Sequence, residues 1–246
     1  EEAVTVEFRL KEDSKTSLLA WTTTPWTLPG NVALAVNPDI EYVTIEKKDE
    51  GTGPVVRFVL AAPLLERIFG KDGYSVVERR KGKDIVGLEY EPLFDVPVLK
   101  SGKSYRVYGA DFVATEEGTG IVHTAVMYGE DDFALGVKTG LPKVQLLNPN
   151  GTYNNEAPEF LRGKYIKDAE KDIKRDLESR NLLFEKKKNT HSYPHCFRCE
   201  TPLYYNALDA WFIRVSDVKE KLLTLNEKIK WIPAHLKEGR FRKRME

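Results

Sequence analysis

The sequence has few of the features that would fix its class at once. Its 246 residues include only two cysteines, Cys196 and Cys199, which are too few for a disulfide framework and indicate a reducing compartment. Lysine plus arginine equals aspartate plus glutamate at 38 each, so no net charge draws the protein onto nucleic acid or a membrane. No apolar run reaches the roughly 18 residues of a membrane span, and no basic, apolar leader opens the chain. We therefore expect a soluble, cytoplasmic protein and, from its abrupt strand-like start, a piece of a longer polypeptide.

The first part of the chain, to about Gln145, has the pattern of a β-rich fold. Short segments of strand composition are separated by Pro, Gly, Asp and Asn, and only PLLERIF and GEDDFALGVKTG favour helices there. Frequent short strands are typical of a barrel or a sandwich and not of a parallel α/β sheet. The predicted strands are VTVEFRL, SLLAW, VALAV, EYVTI, VVRFVL, YSVVE and YRVYG.

The pattern changes after the turn-forming segment LLNPNGTYNN. Apolar residues recur at spacings of three and four from residue 166 to residue 177, which predicts an amphipathic helix. A strand at LLFEK, the compact unit YPHCFRCETPLYY, a strand at WFIRV and a helix through VKEKLLTL follow. The predicted fold is mainly β with α+β elements: residues 1–150 form a β-barrel-like core, and residues 151–246 form a smaller α/β segment with a cysteine hairpin.

Two segments place polar side chains where strands end. WTTTPWTLPGN, residues 21–31, has three threonines after the strand SLLA. In GTGIVHTAVMYGEDDF, residues 118–133, His123 follows a buried strand and Asp132 falls in the first turn of a helix. A hydroxyl-rich loop, an imidazole and a carboxylate are suited to binding a polar, amine-bearing substrate while water attacks it. The sequence has no nucleophile elbow and no HExxH motif, so it does not support a covalent triad or that type of metalloprotease.

Each of these residues also has a plainer interpretation. Threonines favour strands, so residues 22–24 are compatible with the end of an edge strand at Pro25. A histidine at a strand end is more often structural than catalytic. Glu130, Asp131 and Asp132 are the residue types that stabilise the positive end of a helix dipole. The two segments favour a functional site only when they are taken together.

Together the two segments resemble the editing domain inserted into class I isoleucyl-tRNA synthetases. YPHCFRCETPLYY followed by WFIRV resembles the segment that leads back to their catalytic core, so the likeness spans nearly the whole chain. Valyl and leucyl enzymes carry an arginine in the threonine stretch, in forms such as TTRPET, whereas this chain has Thr24 before Pro25. Many members have Ala-Pro two residues after the histidine, where this chain has Ala125 and Val126. The HIGH and KMSKS motifs are absent, so we expect no amino-acid activation by this chain.

The resemblance implies an ester hydrolase that removes valine from mischarged isoleucine tRNA while it excludes isoleucine, with valyl adenylate as a further substrate. An aliphatic pocket separates the two amino acids only about 150-fold, a limit established for isoleucyl-tRNA synthetase itself. The carboxylate is implied to hold the substrate α-ammonium, the threonines to bind adenosine, ester and water, and the histidine to exclude isoleucine by its size more than to act as a base. The implied catalytic and binding residues are Thr22, Thr23, Thr24, His123 and Asp132, with Trp21 and Trp26 in the pocket walls.

No cofactor is implied for editing. Cys196 and Cys199 supply half of a four-ligand zinc site, with His191 and His195 nearby, so we expect partial or absent zinc, or simply two thiols in a hairpin. The implied partners are the acceptor end of tRNA(Ile) carrying valine, valyl adenylate and the rest of the synthetase, and no membrane. The basic segments EKKKNTH and GRFRKRM are candidate tRNA contacts. Two alternatives stay open: a non-catalytic module that docks the acceptor end, and a structural connecting domain with a zinc clip.

Overall fold

The computed structural model describes residues 2–48, 55–190 and 192–245. Two compact units are present, Glu1–Ala207 and Leu208–Glu246. The first unit holds a mixed nine-stranded sheet that forms a half-barrel, which confirms the predicted mainly β fold. The strands are β1 (Glu2–Arg9), β2 (Thr16–Thr22), β3 (Ala33–Val36), β4 (Glu41–Lys48), β5 (Val55–Ala61), β6 (Ser75–Lys81), β7 (Arg106–Gly109), β8 (Ile121–Thr124) and β9 (Leu183–Lys188).

Strand β2 lies inside the sheet and determines where the site forms. Its sequence, TSLLAWT, is almost entirely buried, as expected of a strand with neighbours on both edges. Antiparallel β1 covers one edge, while the other edge pairs with parallel β5 at residues 16–18 and with parallel β8 at Trp21. The strand order is β6-β4-β5-β2-β8-β3-β7, and β1 lies between β2 and β9. Because β2 and β8 are parallel, their C-terminal ends lie at the same edge of the sheet.

Gly120 precedes β8 at the place where the partner of β2 changes from β5 to β8. Its φ is +74°, and a Cβ at this position would lie 2.3 Å from the Cβ of Ala61. The Ala61 N–H donates to the Thr119 carbonyl at 2.9 Å, so the two segments cannot separate without losing this hydrogen bond. Only glycine combines this backbone conformation with this close approach.

We expect Gly120→Ala to lower the free energy of unfolding by about 2–4 kcal/mol, because the added methyl group strains the backbone and overpacks the contact with Ala61. Gly102 is the matched control, because nothing lies within 4 Å of a Cβ built there. Gly102→Ala should change the free energy of unfolding by less than about 1 kcal/mol. Urea denaturation of both variants measures the difference, and equal midpoints would show that the close approach is not a constraint.

The helices confirm the amphipathic segments of the sequence. Both predicted helices of the first part are present, and a four-residue helix, α2, is added to them. Among the described helices none has the length and apolar character needed to cross a bilayer. The helices are α1 (Leu65–Phe69), α2 (Gly82–Ile85), α3 (Glu130–Thr139), α4 (Ile166–Ser179), α5 (Val215–Lys228) and α6 (Lys243–Met245).

The segment after residue 150 supports the sheet. Helix α4 packs on the short 3-10 turn Pro25–Gly30, and β9 pairs with β1, so both elements belong to the first compact unit. Each buried isoleucine or leucine of α4 stabilises this packing by about 1.5–3 kcal/mol. The buried face of α4 consists of Ile166, Ala169, Ile173 and Leu177. The polar face carries ion pairs such as Lys174 with Glu2, as expected for a solvated helix.

Two expectations for the region between β9 and α5 are not met. The cysteine hairpin is not confirmed, because the described residues there form a turn with an isolated bridge between His195 and Pro202 and no pair of strands. Two backbone hydrogen bonds cross this turn, from Cys196 N–H to the Thr201 carbonyl at 2.9 Å and from Leu203 N–H to the Pro194 carbonyl at 3.0 Å. The strand predicted at WFIRV is wrong, since residues 211–214 are not in a strand and are exposed. A segment of strand composition forms a strand only where another strand pairs with it, and no described strand does so here.

Candidate active site

The threonine stretch begins at the end of β2 and is held by its own hydroxyl groups. Oγ1 of the buried Thr22 accepts a hydrogen bond from the N–H of Thr24 at 3.1 Å and lies 3.2 Å from Oγ1 of Thr24. The hydroxyl of Thr27 donates to the Thr24 carbonyl at 2.8 Å. Proline then begins the buried turn Pro25–Gly30, for which its fixed φ is suited. The result is a polar loop held by internal hydrogen bonds, with Thr23 and Thr24 partly exposed.

His123 lies in β8 opposite Leu34 of β3 and is 7 % exposed. Its Nε2 is 2.7 Å from Oγ1 of Thr27, and its Nδ1 is 3.2 Å from Nδ2 of Asn31. Burial lowers the pKa of His123 to about 4, so the ring is neutral at pH 7. Because both ring nitrogens have partners and the pKa is low, the imidazole is better suited to shaping a pocket than to taking a proton from water.

Asp132 lies in the first turn of α3, where the helix dipole favours a carboxylate. Its Oδ2 accepts a hydrogen bond from the N–H of Ala125 at 3.3 Å. Burial raises the pKa of Asp132 to about 7 in spite of this bond. No lysine or arginine of the described chain pairs with this carboxylate. A cationic group of a ligand would therefore stabilise its ionised form. A Cβ at Gly129 would lie 2.9 Å from Oδ2, so glycine leaves room for the carboxylate there.

The strand register brings these groups to one edge of the sheet. The pairing of parallel β2 with β8 places Thr22 beside His123 on the same face. The hydrogen bond from Ala125 joins Asp132 to the chain two residues after His123. The structure therefore brings together the threonine loop and the imidazole, and it places the carboxylate beside the segment that follows the imidazole.

The two tryptophans lie apart from each other. Side chains alternate along β2, so Trp21 points to the opposite face from Thr22, where it packs over Gly118 and lines a cavity of about 110 Å³. Trp26 is 3 % exposed and contacts Tyr128 edge-on, with ring centroids 5.5 Å apart. Trp26 thus supports the 3-10 turn from within the core. A role for either ring in the walls of the substrate pocket stays a prediction.

Three polar residues of the site have no role in the sequence-based prediction. Thr27 and Asn31 are buried and bond the two nitrogens of His123, and the hydroxyl of Tyr90 donates to Oδ1 of Asn31 at 2.7 Å. The sequence did contain a signal for Thr27 and Asn31, because they are polar residues in the otherwise apolar stretch PWTLPGN. Polar side chains that are buried in such a stretch must find hydrogen-bond partners. Tyr90 is 59 positions from Asn31, and no local pattern marks it.

The cysteines lie together, but the described residues do not complete a metal site. The hydroxyl of Thr201 lies 3.1 Å from Sγ of Cys199 and lowers the pKa of that thiol. No group of three or more His, Cys, Asp or Glu side chains suited to a metal occurs in the described ranges, and His191 lies outside them. Two thiols fall short of the four ligands of a structural zinc site. Partial or absent zinc, with Cys196 and Cys199 as the available ligands, stays a prediction.

Comparison with known proteins gives no matching family model but many similar sequences. The isoleucine–tRNA ligase of Bdellovibrio bacteriovorus is 43 % identical over 242 residues, which are 97 % of this chain and 22 % of that protein. The chain is homologous to a segment of isoleucine–tRNA ligases. The enzyme of Clostridium novyi is 42 % identical over 98 % of this chain and 22 % of its own length, and isoleucine–tRNA ligase 2 of Bacillus cereus is 41 % identical over 99 % and 23 %.

Solved structures confirm the fold of the chain. The editing domain of the cytosolic leucyl-tRNA synthetase of P. knowlesi superposes with a TM-score of 0.55 at 14 % identity, covering 75 % of this chain and 95 % of that one. The corresponding domain of P. falciparum gives a TM-score of 0.56 at 11 % identity, covering 76 % and 99 %. The chain spans about a fifth of the length of the curated relatives that it matches.

Proposed function

We propose that this chain is the editing part of an isoleucine–tRNA ligase and hydrolyses the ester between valine and the terminal adenosine of tRNA(Ile). The single observation that carries the proposal is Asp132, a partly buried carboxylate that has no cationic partner in the described chain and is hydrogen-bonded to Ala125, two residues after His123. The α-ammonium of an aminoacyl ester supplies the missing cation. The homology to isoleucine–tRNA ligases and the editing-domain fold support this assignment.

Each group of the site has a role in water-mediated hydrolysis. The Asp132 carboxylate binds the ammonium, and the hydroxyls and backbone groups of Thr22, Thr23 and Thr24 bind the adenosine, the ester and the attacking water. His123 fills the space that the extra methylene of isoleucine would need. Ester hydrolysis of this kind needs orientation and hydrogen-bond donors for the developing oxyanion more than a strong nucleophile, so a site without a triad suffices.

The partners follow from the same assignment. The ligands are the acceptor end of tRNA(Ile) carrying valine and, as a second substrate with the same ammonium, valyl adenylate. The rest of the synthetase is the third partner. The charged segment GRFRKRM in the second compact unit carries several basic side chains and is a candidate for phosphate contact.

The deciding experiment is deacylation of valine-charged and isoleucine-charged tRNA(Ile) by this chain. We expect release of valine and retention of isoleucine. Hydrolysis of neither ester, with tRNA bound, would replace the proposal by the docking-module alternative. Hydrolysis of both esters at equal rates would show a deacylase without the proposed exclusion of isoleucine.

Deacylation should depend on pH through Asp132. The carboxylate must be ionised to hold the ammonium, and its pKa is raised to about 7, so kcat/KM should fall about tenfold per pH unit as the pH decreases below 7. His123, with a pKa lowered to about 4, contributes nothing to the profile between pH 5 and 9. Rates of valine release from pH 5 to 8 measure the dependence, and a flat profile would contradict the proposed role of the carboxylate.

A further inference from the structure

A buried chain of hydrogen bonds runs from the barrel core to the threonine loop. The Tyr90 hydroxyl donates to Oδ1 of Asn31 at 2.7 Å. Nδ2 of Asn31 donates to the Ala33 carbonyl at 2.9 Å and lies 3.2 Å from Nδ1 of His123. On the other side of the ring, Nε2 lies 2.7 Å from Oγ1 of Thr27. Both nitrogens of the imidazole therefore contact protein groups that are themselves buried.

The hydrogen-bond partners of the two ring nitrogens determine which nitrogen of His123 carries the proton. The single hydroxyl proton of Thr27 is given to the Thr24 carbonyl at 2.8 Å, so the Thr27 oxygen accepts a hydrogen bond from Nε2–H. The Ala33 carbonyl requires a donor, so the amide nitrogen of Asn31 faces both that carbonyl and Nδ1. Nδ1 is then an acceptor and carries no proton.

Tyr90 fixes the orientation of the Asn31 amide. Its side chain is 0 % exposed and packs edge-on against Phe8, with ring centroids 5.2 Å apart. Burial raises the pKa of Tyr90 well above its usual value, so the hydroxyl is always available as a donor. A donor opposite Oδ1 opposes the flipped amide, which would present an NH₂ group to Tyr90 and an oxygen to the Ala33 carbonyl.

We propose that Tyr90 and Asn31 are positioning residues that hold His123 as the neutral, Nε2-protonated tautomer in one ring orientation. A ring fixed in this way is a rigid, uncharged wall. A protonated ring would compete with the substrate ammonium for the carboxylate of Asp132, and a rotated ring would change the space left for the amino-acid side chain. The use of this wall in excluding isoleucine rests on the proposed editing function, whereas the assignment of the tautomer does not.

Nuclear magnetic resonance of ¹⁵N-labelled histidine tests the tautomer in the free protein. The chain has four histidines, and the signal that disappears in His123→Gln identifies the ring. We expect correlations typical of Nε2–H from pH 6 to 8. Asn31→Asp places a carboxylate opposite Nδ1, so His123 should become protonated at Nδ1 with a pKa about one to three pH units higher. Nδ1–H in the wild type, or an unchanged ring in Asn31→Asp, would overturn the proposal.

Tyr90→Phe removes the hydroxyl at the far end of the hydrogen-bond network but keeps the aromatic ring. We expect mixed tautomer signals and an increase of about tenfold in the ratio of isoleucine to valine release. Tyr105→Phe is the matched control, because Tyr105 is buried beside Tyr90 and its hydroxyl has no partner in the described chain. Identical tautomer signals in both variants would overturn the role of Tyr90.

If Tyr90→Phe does not fold, the tautomer observed in Asn31→Asp decides whether the proposal holds. Absence of any deacylation would refute the proposed function but leave the tautomer result intact.

Discussion

Asp132→Asn should reduce kcat/KM for valine release from tRNA(Ile) by about 100- to 1000-fold. The variant keeps the size of the side chain and an oxygen that can accept the Ala125 N–H, but it loses the negative charge. Removing one member of a partly buried ion pair costs about 2–5 kcal/mol, and about 3–4 kcal/mol corresponds to the stated loss. Initial rates of deacylation with valyl-tRNA in excess and with limiting valyl-tRNA separate binding from the chemical step.

The neighbouring Asp131 provides the control for this variant. Asp131 is exposed in the same helical turn, so Asp131→Asn changes the net charge equally and should leave the rate within about twofold of wild type. An equal loss in both variants would mean that the overall negative charge of the helix start matters. A normal rate in Asp132→Asn would contradict the role of Asp132 as ammonium ligand and favour binding through the threonine loop alone.

The same substitution should stabilise the protein. The folded-state pKa of Asp132, about 7, lies above the value of 3.8 that an unperturbed aspartate has. Between these values the folded chain binds more protons than the unfolded chain, so stability falls as the pH rises through this window and stays lower above pH 7. Asp132→Asn removes this penalty. We expect the free energy of unfolding at pH 8 to increase by about 1–3 kcal/mol. This is less than the full difference in pKa would give, because the partial exposure of the side chain screens the effect. The ionised carboxylate thus lowers the stability of the protein, which is consistent with a residue retained for binding and not for stability.

The sequence predicts the parts of this site that are coded locally. Strands β2 and β8 are evident from short apolar runs, and the polar residues that follow each run are the ones that meet at the sheet edge. That they meet depends on the parallel pairing of β2 with β8, which no local pattern specifies. The resemblance to a known family supplied this information in advance.

The orientation of Trp21 illustrates a feature that the local sequence itself determines. The alternation of a strand through Ala20, Trp21 and Thr22 places the indole on the face opposite to the threonine. The network through Asn31 and Tyr90 is a different case, because it joins residues far apart in the chain. The strand predicted at WFIRV is wrong for another reason, since strand propensity has no effect without a pairing strand.

His123→Ala should allow isoleucine to be released from tRNA(Ile). The substitution removes the ring beside Thr22, and the space can accept the extra methylene of isoleucine. One methylene in a pocket corresponds to about 10- to 200-fold in kcat/KM, so we expect isoleucine release to increase within that range while valine release changes little. The lost ring also removes one hydrogen-bond partner from each of the buried residues Thr27 and Asn31, which should lower the free energy of unfolding by about 2–4 kcal/mol.

His123→Gln separates the steric role of the ring from its hydrogen bonds. Glutamine retains bulk together with one donor and one acceptor, so this variant should exclude isoleucine better than His123→Ala does and should lose less stability. Deacylation of both charged tRNAs by the two variants, at a temperature well below their melting points, makes the comparison. If His123→Gln and His123→Ala release isoleucine equally, orientation of water by the imidazole, and not its size, determines the selectivity. If neither variant releases isoleucine, another part of the site excludes it, and the residues that flank the partly exposed Thr23 and Thr24 are the next to test.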